Sequence, residues 1–271
     1  MKVFVFGANG MIGRYIHSYL KRSIPVTRDM VDALHIRNSL LLDNIDRLNI
    51  TDGDVVINAI GITNKHTSNI EDFFIVNSLF PRLLADYCVN KGVKMIHIST
   101  DCVFSGETGA YSEKDRHDDE SVYGISKSAG EPSNCTVIRT SIIAENPNND
   151  LDLLEWVRSK KGGVIGGFKR HFWNGITGLQ FAKLCKNIIN TNAFYLGVTH
   201  VSSPRAVSKF DLVSIINDVY DLGINIKPYA ETSKFNEEPA CDRTLTSLYK
   251  RWGEIPDIET QLIEQRDYKW E

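Results

Sequence analysis

Tyr123 and Lys127 stand four residues apart in the run Tyr123-Gly124-Ile125-Ser126-Lys127. On a helix this spacing puts both side chains on one face, with the ammonium beside the phenol. A free tyrosine has a pKa of about 10, and a neighbouring cation favours its ionised form. Such a pair could pass a proton near neutral pH. Chance pairs of this kind are common, so a third group must define the site. Ile98-Ser99-Thr100-Asp101 offers one, a hydroxyl at a strand end that could hold the oxygen the phenol protonates. Ser99 and Thr100 both qualify, and alternation along a strand points them to opposite faces.

A ligand for these groups is suggested upstream. Gly7-Ala8-Asn9-Gly10-Met11-Ile12-Gly13 follows the first apolar run and opens an amphipathic stretch. Glycines in a strand-to-helix turn let a pyrophosphate approach the helix N-terminus, where free N–H groups and the dipole favour anions. The expectation is a dinucleotide held by Gly7, Asn9, Gly10, Met11, Ile12 and Gly13; a plain turn is the alternative. The second strand ends in Val26-Thr27-Arg28-Asp29. Arg28 suits the 2′-phosphate of NADPH, while Asp29 keeps NADH open. Asp32 is a candidate for the adenine side. Ala59, Ile60 and Gly61 end the third strand, beyond which ligands bind in such sheets.

The elements that must position these groups are legible as apolar runs. Strands are expected at Lys2–Phe6, Ile24–Thr27, Asp54–Ile60, Lys94–Ser99 and Thr136–Thr140, with helices at Met11–Lys21, Ile70–Lys91 and Tyr123–Glu131. This alternation predicts an α/β, Rossmann-type doubly wound parallel sheet. After Ser141 the pattern loosens. Helices are expected at Leu151–Ser159, Leu179–Ile189, Ser208–Tyr220 and Ile258–Gln265, a glycine-rich connection at 161–167 and a strand near Gly197–Ser202. A soft boundary at Ser141 divides a cofactor domain, 1–141, from a smaller C-terminal substrate-binding lobe, 142–271, closely packed together.

The chain has 271 residues, 42% hydrophobic and 24% charged, with a net charge of -3. No basic field for nucleic acid and no apolar run of membrane-spanning length is present. Five cysteines without paired spacing argue against a disulfide or zinc framework, and no signal-peptide layout is seen. The expected setting is the cytoplasm.

The runs GANGMIG, DVVINAIG, IHISTDCVFSG, YGISKSAGE and VIRTS, and more weakly HFWNGITGLQFAKLC, VTHVSS and CDRTLTS, resemble the extended short-chain dehydrogenase/reductases. Within them the chain is most similar to the dTDP-4-dehydrorhamnose reductase family. The resemblance implies NADPH-dependent reduction of a 4-keto-6-deoxy sugar on a nucleoside diphosphate, for deoxysugar and polysaccharide biosynthesis. It makes Thr100 the substrate-holding hydroxyl, Tyr123 the proton donor and Lys127 the residue that binds the nicotinamide ribose and tunes the tyrosine. Asn77 matches a position that orders the active-site helix near the cofactor. Thr100, Asp101, Cys102, Phe104, Trp173 and Arg243 are the candidate substrate contacts, with a nucleotide sugar as partner and a homodimer allowed.

The chain also departs from the family. Ile142 stands where a sugar-contacting tryptophan is common, and Arg14 where some relatives carry an acidic residue linked to a metal, so no metal is expected. Cys102 replaces the glutamate of dehydratases. GDP-fucose synthase-like epimerase/reductases place a cysteine base there, which opens an epimerase alternative with His171 as the partnering acid. Lys169-Arg170-His171-Phe172-Trp173-Asn174 could clamp a diphosphate or be an exposed turn; Arg205 is a weaker diphosphate candidate and His200 reads as a core histidine. The regulatory β subunit of methionine adenosyltransferase resembles the same family, so a non-catalytic NADP-binding subunit is the rival from another class.

Overall fold

The computed structural model describes residues 1–38, 40–146, 152–229 and 240–270. In the first half the chain runs through β1 (Val3–Phe6), α1 (Met11–Tyr19), β2 (Ile24–Val26), α2 (Leu40–Asp46), β3 (Val55–Asn58) and α3 (Ile70–Phe74). It continues through α4 (Phe80–Asn90), β4 (Lys94–Thr100), α5 (Val122–Ala129) and β5 (Thr136–Thr140). The second half adds β6 (Ile142–Ile143), α6 (Leu153–Arg158), β7 (Val164–Gly167), β8 (His171–Trp173), β9 (Ile176–Thr177) and α7 (Gly178–Asn190). After these come β10 (Gly197–His200), β11 (Val207–Ser208), α8 (Lys209–Val219), β12 (Asn225–Pro228), β13 (Cys241–Asp242) and a C-terminal helix, Ile258–Arg266.

Six strands form one parallel sheet in the order β2-β1-β3-β4-β5-β10. Successive residues face opposite sides, so Phe4, Phe6 and Val56 join one core with Phe80 and Leu84. Val5, Ile57, Ile96 and Ile138 join another with Leu184 and Ile188. Both faces are covered, which is why the strands read as unbroken apolar runs. The chain leaves β1 for β2 on one side and crosses to β3 on the other. The glycine turn after β1 therefore opens at the switch point of the sheet, where ligands bind. This is the doubly wound α/β arrangement.

Two expectations need correction. The helix expected over Ile70–Lys91 is interrupted by a π turn at Ile75–Leu79. Pro81 has no N–H for the carbonyl of Asn77, four residues back, and the helix widens there. The freed carbonyl lies against Gly130 at the end of α5, and any side chain at Gly130 would collide with it. The glycine-rich run 161–167, expected as a connection, ends in strand β7, which pairs in parallel with β12. The expected helix start at Leu151 lies outside the described residues.

The small sheets β11-β8-β13, β12-β7 and β6-β9 form the second unit with α6, α8 and the C-terminal helix. Leu154, Ile165, Trp173, Leu212, Ile216 and Leu262 fill its core. Two segments of this half return to the first: β10 pairs with β5 at the sheet edge, and α7 packs on α1.

Candidate active site

Thr100 ends β4 and caps the short turn Asp101–Val103, its Oγ1 accepting from the Cys102 amide at 3.1 Å. The same hydroxyl donates to Asp101 Oδ1 at 3.2 Å. Alternation sends Ser99 elsewhere, to donate to Glu131 Oε1 at 2.5 Å. Ser121 caps α5 by accepting from the Gly124 amide at 3.0 Å, so Tyr123 and Lys127 fall on consecutive turns. Thr100, Tyr123 and Lys127 are thus brought to one end of β4, as the spacing requires.

Lys127 is only 6% exposed, and its Nζ donates to the Ile98 carbonyl at 2.8 Å. Burial lowers its pKa to about 8, with Glu131 opposing. Burial also pushes the Tyr123 phenol upward; Cys102 and Asp101 add to the rise and the Thr100 hydroxyl opposes it. The expectation of a phenol lowered by Lys127 is therefore corrected. The lysine donates to the strand carbonyl, and dehydration of the ring decides the shift. At neutral pH the phenol keeps its proton, the form in which a reduction uses it.

Glu131 anchors the wall behind these groups. Arg139, buried in β5, meets it through Nε–Oε1 at 3.0 Å and Nη2–Oε2 at 2.6 Å. Two further guanidinium protons go to His200 Nε2 at 2.6 Å and His117 Nε2 at 2.7 Å. Both imidazoles accept from a cation and must be neutral. Burial depresses them first and Arg139 second, His200 to about 4. His200 is the core histidine that its sequence context implied.

A cavity of about 340 Å³ opens beside the glycine turn, and Gly7, Asn9, Gly10, Arg28, Asp32, Ala59, Ile60 and Gly61 line it as expected. Gly10 gives α1 no side-chain cap, and no acidic residue stands in the first turn. The amide donors there suit a pyrophosphate, so these residues fit a dinucleotide. Met11 and Ile12 pack their side chains toward the core, leaving only their backbone to a ligand. Arg28 lines the cavity whereas Asp29 bonds Thr27 locally. Asp32 holds Arg28 at 3.0 Å and the Leu34 amide at 2.9 Å. Thr27, Val31, His66 and Thr67 also line the cavity; lying in loops without a motif, they gave no sequence signal.

Asn77 bonds protein groups on both sides and does not line the cavity. Its amide bonds both the N–H and the carbonyl of Ile62 at 2.9 Å and reaches Ser126 Oγ at 3.1 Å, tying the β3 loop to α5. A methyl at Gly13 would collide with the Gly7 carbonyl, because α1 starts directly against the turn. We expect Gly13→Ala to cost about 1–3 kcal/mol of stability and to weaken dinucleotide binding, read by calorimetry and thermal melts.

The substrate-side candidates divide. Asp101 is buried, and burial raises its carboxyl pKa while Lys209 and Arg243 oppose. Phe104 is fully buried and stacked on Tyr111 at 4.2 Å, so its side chain is core and not a substrate contact. Trp173 is 5% exposed, with its indole N–H donated to Ser141 Oγ at 2.8 Å, and it too belongs to the core. Arg243 is committed to the Phe104 carbonyl at 2.8 Å and Asp119 Oδ2 at 2.9 Å, joining β13 to the loop after β4. Burial, then Asp101, pushes the Cys102 thiol up to about 12, which is the wrong direction for the thiolate base of an epimerase. His171, its supposed partner, stacks on Phe168 at 4.2 Å; Lys209 and Arg243 are the cations near Cys102. Arg205 is exposed. Arg14 Nη2 bonds the Glu145 carbonyl at 2.8 Å, with Trp270 over the guanidinium at 4.6 Å.

With this geometry in place, the chain was compared with known proteins. The family model described as the RmlD substrate binding domain matches residues 1–241. The protein named "Probable low-salt glycan biosynthesis reductase Agl14" of Haloferax volcanii is 30% identical over 245 residues, covering 81% of this chain and 80% of that one. A dTDP-4-dehydrorhamnose reductase of Aggregatibacter actinomycetemcomitans is 27% identical, covering 80% and 78%. The crystal structure of dTDP-4-dehydrorhamnose reductase from Bacillus anthracis in complex with NADP superposes with a TM-score of 0.79 at 19% identity, covering 96% of each chain. The chain is an NAD(P)-dependent oxidoreductase in fold and kinship, and it belongs to the RmlD substrate binding domain family.

Proposed function

We propose that this chain uses NADPH to reduce the C4 keto group of a 4-keto-6-deoxy sugar carried on a nucleoside diphosphate. The observation that supports this reading best is the convergence of Thr100, Tyr123 and Lys127 at the C-terminal end of β4, in the same parallel sheet whose β1 and β3 ends lead into the residues lining the glycine-turn cavity. NADPH, when bound, supplies the hydride. The chain supplies the rest. Tyr123, half-buried and held protonated by the desolvation of its phenol, gives its proton to the keto oxygen, and Thr100 holds that oxygen in line. Lys127, whose Nζ bonds the Ile98 carbonyl at 2.8 Å, serves to hold the cofactor ribose beside the strand end. Residues 1–141 bind the cofactor, and the lobe of residues 142–271 covers the sugar nucleotide. Related reductases of glycan and dTDP-rhamnose synthesis give this substrate class its basis.

The test is NADPH oxidation with dTDP- and UDP-linked 4-keto-6-deoxyglucose. Turnover of either supports the reading; NADPH binding without turnover of any keto-sugar favours the non-catalytic binding subunit. Arg28 underlies the choice of NADPH, because it faces the cavity and Asp29 does not. Losing a charge-assisted bond costs roughly 1.5–3 kcal/mol. Arg28→Ala should therefore raise the KM for NADPH about 10- to 100-fold and leave that for NADH nearly unchanged. Equal effects on both cofactors would remove the 2′-phosphate assignment. Among the described residues no helix is long and apolar enough to cross a membrane.

A further inference from the structure

Lys209 is the first residue of α8, whose start is closed by a reciprocal cap: Ser208 Oγ accepts from the Asp211 amide at 3.0 Å, and Asp211 bonds back. A cation in the first turn opposes the helix dipole, which favours anions there. Burial opposes it as well, lowering its pKa, with Asp101 and Cys102 working the other way. The side chain nevertheless turns inward and lies over the Trp173 ring, with Nζ 5.5 Å from the centroid. Trp173 is fixed in turn by its bond to Ser141.

The position is next to the proposed chemistry. Lys209 is within electrostatic reach of Asp101, Cys102, Cys241 and Arg243, and the first two of these also act on Tyr123. Two cations therefore overlook the Thr100-Asp101-Cys102 turn. Arg243 is spent on the Phe104 carbonyl, Asp119 and, at 3.8 Å, the Cys102 sulfur. Lys209 has no hydrogen-bond or ion-pair partner among the described residues, so the three N–H donors of its half-buried ammonium are left to solvent or a ligand. Asp101 acts on the ammonium only at a distance and makes no ion pair with it, its Oδ1 being bonded to Thr100 and Cys102. A half-buried cation against a helix dipole and beside a second cation lacks only an anion.

We infer that Lys209 is a substrate-contacting residue, whose ammonium takes an anionic oxygen of the nucleotide sugar close to the reacting carbonyl. The assignment rests on the nucleotide-sugar reading above. The anionic oxygen belongs to the diphosphate, the charged group of that substrate. It also moves the anion-binding role from Arg243, which joins two segments of the chain, to a lysine that no motif marks.

Lys209→Met keeps the apolar stem over Trp173 and removes the charge, while Lys209→Arg restores a charge. For the methionine variant we expect the keto-sugar KM to rise about tenfold or more, with the loss on KM rather than kcat and NADPH affinity unchanged. The arginine variant should recover most of it. Calorimetry with UDP and dTDP alone gives the second readout. Weakened binding in Lys209→Met assigns the diphosphate. Unweakened nucleotide binding in Lys209→Met overturns the diphosphate contact, whatever happens to KM. Unchanged KM and unchanged nucleotide binding overturn the role of Lys209 and leave the reductase reading standing. A wild-type chain that binds neither UDP nor dTDP and reduces no nucleotide sugar overturns both.

Discussion

Tyr123→Phe should lower kcat for keto-sugar reduction by about 10²- to 10⁴-fold, with the Kd for NADPH within a few-fold of wild type. The substitution removes one oxygen from a ring that stays in place, so loss of the proton donor is isolated from loss of fold. The size of the effect follows from the environment. Burial holds the phenol protonated, and Thr100 is the neighbouring group that eases its ionisation. Tyr123 is half-buried, and Lys127 donates to the Ile98 carbonyl. Single-turnover measurements with preformed NADPH complex will separate the chemical step from binding. Unaltered single-turnover rates would remove Tyr123 from the mechanism.

Arg139→Met should be strongly destabilising. Arg139 is 2% exposed and satisfies Glu131, His117 and His200 together, and its removal leaves a carboxylate buried and unpaired. Breaking such a pair costs about 3–5 kcal/mol. With a melting shift of roughly 2–4 °C per kcal/mol for a chain of this size, the melt should fall by about 10 °C. The same cluster sets an acid limit. His200 has a folded pKa of about 4, below its unfolded value, so the unfolded chain binds more protons as pH falls from about 6.5. Its stabilising effect is complete above pH 6.5 and is lost progressively toward pH 4, by about 3 kcal/mol; the depression of His117 acts in the same sense. Melts at pH 7, 6 and 5 should therefore decline. In Arg139→Met the decline should be shallower, because one cause of the histidine depression is gone.

Much of this was legible from spacing. The glycine turn, the strand end at Thr100 and the Tyr123–Lys127 interval each concern residues adjacent in sequence or one helical turn apart, and local periodicity fixes their geometry. The doubly wound sheet followed because β-branched and aromatic runs alternate with amphipathic ones. What escaped was set by residues far apart. Phe104 looked like a pocket residue because it follows Cys102, but its ring is buried by Tyr111, His117, Arg139 and His200. Trp173 looked exposed among cations, but Ser141, 32 positions earlier, takes its N–H. The sign of the Tyr123 shift depends on enclosure, which the Tyr–Lys interval does not encode. Lys209 escaped for the same reason, since its surroundings come from segments near 101, 173 and 243.

The strand β10 has a consequence for how the protein is made. β5 is complete at Thr140, but its outer edge has no partner until Gly197–His200 is synthesised and pairs with Thr136–Arg139. For some sixty residues of translation, a buried-type strand presents free N–H and C=O groups, the kind of edge that recruits other chains. Arg139, inward-facing on that edge, also waits for His200. The open edge of β5 is thus closed only by a segment from the second half of the chain, synthesised after β9 and α7.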